Sequence, residues 1–502
     1  MSFNVWTEKS FHKIFPSETP KSSREEELFC AKNEKEGCQI VLLSDVDTVA
    51  TLDFSEMIGE GGVISSRKHE VLFISAGKFG YFSDPMRPLN DSTVSLKGGE
   101  AKAIFWRFDV PKDAEAGKYS ASVTVTAEGC QALTVKVNLN VWNFTLPDTP
   151  SCQSAFGLHR KALDNTYGFE SGSEESQRMY ESYYEELLDY RISAYELPYD
   201  IRTDKADKYM DDPRVTSFMI PFVKDDKVIA EYFDKLRTKR DWFKKGYFYD
   251  LDEPCTEQAY EQMKSVSAYL RGIEPNFRRV MPFYMNPPFD IELNAVDSML
   301  GNVNIWCPES CTWDNLNEWD KLGRGPDDSL GPRMKARQAA GDTVWWYVCC
   351  GPREPYCNLH ITMSGIMHRI LFWQQMSKGV EGLLYWCANY WNEDDFGDWS
   401  CTRDPWTDMA TVKKIDKNLY GDGSLFYPGE DGPCPSLRLE CVRDGIEDFE
   451  YLTMASRLFG QKYVDDIIAS VSPSLTVYTD DEDLFYATRI VLGNAIENAL
   501  NK

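Results

Sequence analysis

The spacing of hydrophobic residues changes at Leu146-Pro147-Asp148-Thr149-Pro150-Ser151, and the kinds of fold open to either side change with it. Before this segment, Leu133, Val135, Val137, Leu139 and Val141 occupy successive odd positions, the period of a half-buried strand. Val123 and Val125 alternate with polar neighbours in the same way, and Ala103–Val110 is a strand candidate closed by Pro111-Lys112-Asp113. Residues 1–148 therefore read as an antiparallel β-sandwich domain. The two prolines with polar spacers form a short, stiff linker.

After the linker, strand-like and helix-like patterns alternate. The strand candidates are Gln153–Leu158, Ser193–Leu197, Ser217–Pro221, Gly246–Asp252, Arg279–Met285, Val303–Trp306, Thr343–Cys349 and Gly382–Cys387. Helical patterns lie between several of them, such as Arg178–Tyr190 and Ile361–Lys378. Such β-α units over about 250 residues have the size of a (β/α)8 barrel. Residues 151–502 are thus expected to form a TIM-like barrel with C-terminal helices. A helix near 482–500 should close its outer layer. The predicted class is multidomain, β followed by α/β, with the pattern weakest over 213–245.

One strand carries a chemical signature. Gly246-Tyr247-Phe248-Tyr249-Asp250-Leu251-Asp252-Glu253-Pro254 is an aromatic run that ends in adjacent carboxylates and is stopped by proline. Thr256 can cap a following helix, whose Tyr260, Met263, Val266 and Leu270 recur at helical spacing. An arbitrary Asp-Glu pair after a strand usually caps a helix or meets solvent. At the carboxyl end of a barrel strand it stands where chemistry is placed, and paired acids are the equipment for cleaving glycosidic bonds. Other strand ends would bring His159, Tyr284, Asn286, Trp306, Tyr347, Trp386, Asn389 and Trp391 to the same face. Aromatic walls with amide and carboxylate groups compose a sugar pocket, since sugar C–H faces stack on aromatic rings. His159 reads as structural rather than catalytic. Trp386 or Trp391 is expected to stack on the sugar or to pack the barrel, and Tyr347 to orient the substrate or to fill the mouth.

Composition narrows the remaining classes. Aromatic residues make up 13% of the 502. Lys and Arg number 54 against 80 Asp and Glu, a net charge of −26 that would repel a phosphate backbone or an anionic membrane. Nucleic acid and membrane insertion are therefore not expected. The 14 cysteines are scattered apart from the adjacent Cys349 and Cys350, which reads as buried, reduced thiols rather than a disulfide framework. Cys307-x3-Cys311 lacks a second ligand pair and the five histidines form no motif, so neither a metal nor a cofactor is expected. No basic stretch followed by an apolar run opens the chain, which predicts a cytoplasmic protein, or a secreted one whose leader has been trimmed.

The sequence resembles glycoside hydrolase family 123 and its wider group of related proteins. The resemblance rests on Ala31-Lys32-Asn33-Glu34, Asp84-Pro85, Asp109-Val110-Pro111 and Ala116-Gly117-Lys118-Tyr119 in the first domain. In the second it rests on Asp252-Glu253-Pro254, Trp345–Pro352, Gly382–Trp391 and the distinctive block Ser436–Leu452. It implies a β-sandwich, a (β/α)8 barrel and exo-β-N-acetylgalactosaminidase activity with substrate-assisted retention, in which the 2-acetamido oxygen attacks its own anomeric carbon. Asp252 and Glu253 match the family's catalytic pair. Glu253 would protonate the leaving oxygen, and Asp252 would hold the acetamido N–H and face the forming oxazolinium. Arg443 is a further candidate for substrate contact, although its place one helical turn from Glu447 fits an ordinary ion pair. The alternatives are a glycosidase acting on another sugar, such as β-GlcNAc, and a non-catalytic glycan-binding protein.

Overall fold

The computed structural model describes residues 2–284, 295–313, 330–392, 399, 401, 404–409 and 419–501. The first part is built of strands β1 (Phe3–Lys9), β2 (Glu25–Lys32), β3 (Glu34–Ser44), β4 (Thr48–Phe54), β5 (Met57–Gly59), β6 (Gly62–Ser75), β7 (Tyr81–Pro88), β8 (Thr93–Leu96), β9 (Lys102–Val110), β10 (Gly117–Ala127) and β11 (Leu133–Thr145). They form one eleven-stranded hydrogen-bonded sheet whose main path is β1-β3-β9-β6-β5-β10-β11-β2, with β7 joined through β6, β4 through β10 and β8 through β4. The β11–β2 pairing is parallel, a departure from an all-antiparallel arrangement. Val123, Val125, Val135, Val137, Leu139 and Val141 all enter one buried core with Ile40, Leu42 and Trp106.

The second part runs β12 (Gln153–Phe156), α1 (Arg160–Tyr167), α2 (Glu174–Asp189), α3 (Asp204–Asp211), β13 (Phe218–Met219), α4 (Asp226–Arg237), α5 (Arg240–Lys245), β14 (Gly246–Tyr247), α6 (Glu257–Ile273), β15 (Val280–Phe283), α7 (Ala295–Met299), β16 (Ile305–Pro308), α8 (Leu330–Ala339), β17 (Thr343–Val348), α9 (Gly365–Lys378) and β18 (Gly382–Tyr385). Strands β19 (Phe426–Pro428) and β20 (Pro433–Pro435) and helices α10 (Leu437–Phe459), α11 (Gln461–Val471) and α12 (Glu482–Leu500) complete it. Parallel pairing follows the order β12-β18-β17-β16-β15. A parallel bridge between Phe248 and Arg279 carries it from β15 to β14, which pairs with β13. The Met219 N–H donates to the Tyr195 carbonyl at 2.7 Å, and a parallel bridge from Ala194 to Phe156 returns to β12. The Ser193–Leu197 candidate contributes only these bridging contacts.

Side chains on one face of these segments meet in a cluster of Ala155, Tyr195, Tyr247, Val280, Ile305, Cys307, Trp345, Tyr347 and Leu384. Their alternate neighbours, such as Phe248, Met281, Trp306, Trp346 and Leu383, turn to the helices and join a much larger core. The odd–even register thus decides which residues reach the strand ends from within.

Helix α12 does not cover the strands of the second part. It packs on α10 and against β2 and β11 of the first, where the Trp142 indole N–H donates to Asn494 Oδ1 at 2.9 Å. Gly493 makes this possible, because an added Cβ would stand 2.4 Å from the Trp142 ring. The charges of the run Pro435–Leu452 suggest an approach to a helix, but the run is already α10 from Leu437 onward. Ser436 caps it by accepting from the Leu439 N–H.

Candidate active site at the strand ends

The segment after β14 is held before it reaches the carboxylates. Fully buried Arg279 donates through Nε to Asp250 Oδ1 at 2.7 Å and through Nη1 to the Met263 carbonyl and Ser267 Oγ. On the other side, Thr256 Oγ1 accepts from the Ala259 N–H at 3.1 Å and starts α6, which buries Tyr260, Met263 and Leu270. Between these anchors Glu253 takes a φ of +40°, left-handed backbone that costs a non-glycine residue about 1–3 kcal/mol. Strain of this kind persists only where the surroundings fix it.

The two carboxylates have separate partners. The Tyr347 hydroxyl, at the end of β17, donates to Glu253 Oε1. The Tyr249 hydroxyl donates to Asp252 Oδ1 at 2.6 Å. Desolvation raises the Glu253 carboxyl above the ordinary range and the charge of Asp252 adds to this, while the Tyr347 hydrogen bond opposes it. Asp252 is exposed, yet the protein around its carboxyl still raises it by desolvation, against the donated bonds from Tyr249 and the Glu253 N–H. No lysine, arginine or histidine among the described residues forms an ion pair with either group.

A third carboxyl, Glu309, was not among the sequence candidates. It follows Ile305 and Cys307 at the same odd spacing, directly past the end of β16, and a parallel bridge ties it to Tyr347. An added Cβ on Gly351 would come within 2.4 Å of its Oε1, so the loop after β17 closes tightly over it. Burial pushes the half-buried Glu309 carboxyl up to about 7, with a further rise from the charge of Glu253 and an opposing bond from the Cys311 thiol. The signal in the sequence was the inward register. Ending the strand at Trp306 hid it.

The other candidates separate by that same register. Tyr284, in step with Val280, is half-buried; burial pushes its phenol up to about 12, and the nearby Cys255, Glu253 and Glu309 add to the rise. Trp386, in step with Leu384, is half-buried and donates its indole N–H to Asp422 Oδ1 at 2.9 Å. Its ring lies on Gly423, where an added Cβ would stand 2.2 Å away. Trp306 instead faces the helices, fully buried, and donates to Asp342 Oδ2 at 2.8 Å. Trp391 is buried and donates to the Phe426 carbonyl. Asn389 is buried and holds the His159 backbone at both its N–H and its carbonyl. The His159 ring stacks on Trp399 at 3.8 Å, and burial pushes it down to about 4, so it is neutral. Arg443 is buried within α10 between Glu440, Asp444 and Glu447. Trp306, Trp391, Asn389 and Arg443 thus have protein partners and do not join the carboxylates. Asn286 lies outside the described residues.

Left-handed backbone at Glu253, acids of raised titration that no described cation pairs with, and tyrosine donors are an arrangement suited to proton transfer. The family model described as the glycoside hydrolase 123 catalytic domain matches residues 184–455, more than half of the chain. The chain belongs to glycoside hydrolase family 123. As a family 123 glycosidase it acts on carbohydrate. Among solved structures it is similar to a family 123 glycoside hydrolase from Clostridium perfringens, described in connection with glycolipid glycan hydrolysis. That match has 14% identity and a TM-score of 0.67 and covers 100% of this chain and 98% of the other. A family 39 glycoside hydrolase from the gut symbiont Bacteroides cellulosilyticus covers 83% of this chain and 81% of its own, at 9% identity and a TM-score of 0.34. The first likeness establishes a shared fold, and the second carries no argument. No curated protein matches the chain. Among the described residues, no helix is long and apolar enough to cross a membrane.

Proposed function

We propose that this family 123 glycosidase removes terminal β-linked N-acetylgalactosamine from glycans or glycolipids by a retaining, substrate-assisted mechanism. The reading places the reaction at the mouth of a (β/α)8 barrel in residues 151–502, with a β-sandwich over the first 148. The observation that carries it is the joining of two strand ends by the Tyr347–Glu253 hydrogen bond, beside an Asp252 that keeps its own donor, Tyr249.

In this mechanism Glu253 is the acid. Desolvation and the neighbouring Asp252 both favour its protonated form, and Tyr347 fixes its carboxyl so that the proton is presented to the leaving oxygen. Asp252, exposed to an incoming sugar, accepts from the acetamido N–H and faces positive charge as the oxazolinium forms. The two acids titrate as a coupled pair. Because the substrate supplies the nucleophile, the carboxylate spacing that separates ordinary retaining from inverting enzymes does not apply. Trp386 is the aromatic platform of the reading, since its indole is locked by Asp422 and Gly423 while its ring stays half-exposed.

The test is a hydrolysis screen on nitrophenyl β-N-acetylgalactosaminide, β-N-acetylglucosaminide and β-galactoside. The expected result is fastest turnover of the first and none of the third. Comparable cleavage of the galactoside, which lacks the acetamido group, would require a nucleophile from the protein and would refute the mechanism.

A further inference from the structure

Cys349 and Cys350 are left unused by this mechanism, yet they stand beside it. Neither is in a disulfide, and both are half-buried with their sulfur atoms 3.8 Å apart. Cys349 continues the inward register of Trp345 and Tyr347 and packs against the same cluster. It therefore sits one step beyond the tyrosine that donates to Glu253. Its backbone is fastened: the N–H donates to the Gly351 carbonyl at 2.7 Å, and the carbonyl accepts from Asn358 Nδ2 at 2.9 Å with His360 Nε2 at the same distance. The adjacent Cys350 sulfur and burial hold the Cys349 thiol well above its ordinary range, so it keeps its proton near neutral pH.

This geometry selects the reagent. Adjacent Cα atoms are about 3.8 Å apart, closer than the span of an ordinary disulfide, so a direct S–S bond here would be strained. An atom placed between the sulfurs needs no such closure. Two thiolates on a tetrahedral zinc at about 2.3 Å, for example, stand about 3.8 Å apart. Among the described residues no third metal ligand joins the pair, so the two thiols suit an atom that two sulfurs satisfy.

We propose that Cys349 and Cys350 form a vicinal-dithiol site for trivalent arsenicals, and that filling it blocks hydrolysis at the neighbouring Glu253; the second half rests on the function proposed above. With an organoarsenic oxide, two S–H bonds break and two S–As bonds form. The arsenic-bound oxygen takes both protons and leaves as water, with no change of oxidation state.

The full-length protein titrated with phenylarsine oxide tests this, read by intact mass and by hydrolysis of the best nitrophenyl substrate. One adduct per chain is expected, resistant to excess 2-mercaptoethanol and removed by 2,3-dimercaptopropanol. Hydrolysis should fall at least tenfold with the same titration and return with the dithiol. Cys349→Ser and Cys350→Ser should each lose the adduct, whereas Cys130→Ser, at a half-buried cysteine of the first part, should keep it. Peptide mapping of the wild-type adduct decides the location even if a variant fails to fold. No adduct, an adduct elsewhere, or one released by monothiol would overturn the site. An adduct at the pair with unchanged hydrolysis would overturn the block. A wild type that cleaves no glycoside but carries the adduct would refute the proposed function while sustaining the dithiol site.

Discussion

The carboxylates at the strand ends and those of α10 are the same residue types in opposite circumstances. In α10, Glu440 accepts from Arg107 at 3.2 Å, from the Tyr190 hydroxyl at 2.6 Å and from Arg443, which pushes it down to about 2 despite full burial. Asp448 is held below the ordinary range by Arg369 at 2.6 Å, Arg489 at 2.8 Å and the Trp373 indole at 3.0 Å. Where burial outruns the arginine charge a carboxyl rises instead, as at Glu447 of α10 beside Arg443 and Arg191 and at Glu34 of β3, pushed up to about 8 beside Arg489. At the strand ends no cation among the described residues pairs with Asp252 or Glu253, and tyrosine hydroxyls donate to them. A cation fixes a carboxylate as a charged strut, whereas a neutral donor holds it in position and leaves its proton available. The most distinctive block of the sequence, Ser436–Leu452, is on this account the frame, and the short Asp252-Glu253 pair is the chemistry.

The sharpest way to break that division is Arg443→Ala. Three buried acids, Glu440, Asp444 and Glu447, would lose their shared partner, and stability should fall by about 3–5 kcal/mol in chemical denaturation. Whatever remains folded should keep near-normal kcat. A folded variant with selectively lost catalysis would move Arg443 into the site.

Asp252→Asn should do the reverse. Loss of the charge facing the developing oxazolinium should cost roughly 10²–10³-fold in kcat on any leaving group. The melting temperature should stay close to wild type, because the side chain is exposed and the Tyr249 hydroxyl and Glu253 N–H can donate to the amide oxygen as they do to the carboxylate.

The smallest effect belongs to Glu309. Its raised value means that the folded protein binds its proton more tightly than the unfolded chain does, so its contribution is complete below about pH 4.5 and is lost as pH rises through about 7. Glu309→Gln should therefore match wild-type stability at low pH and exceed it by up to about 3 kcal/mol above pH 7. Melting curves across that range check the sign.

The contrast also explains what could be read in the sequence. The α6 start was legible because Thr256, Tyr260, Met263 and Leu270 encode cap and face locally. The strand-end pair was legible because β14 and its stop are contiguous. Glu309 and Trp306 were exchanged because one residue of strand length inverts which side chain points inward. The charged run Pro435–Leu452 does not announce itself as a buried helix, since its neutralising partners Arg107, Arg369 and Arg489 come from β9, α9 and α12 and no local pattern signals them. Helix α12 itself was foreseen near 482–500, but its burial against Trp142 depends on a distant contact at Gly493.

The central claim is that Glu253 is a proton donor held ready by Tyr347, and Glu253→Gln tests it most directly. The substitution keeps the shape and removes the proton. Turnover should be measured on a sugar-alcohol aglycone and on the nitrophenyl glycoside. The account predicts a loss of roughly 10²–10⁴-fold on the first and a much smaller loss on the second, whose leaving group departs with little protonation. Equal losses on both substrates, or none on the first, would contradict it.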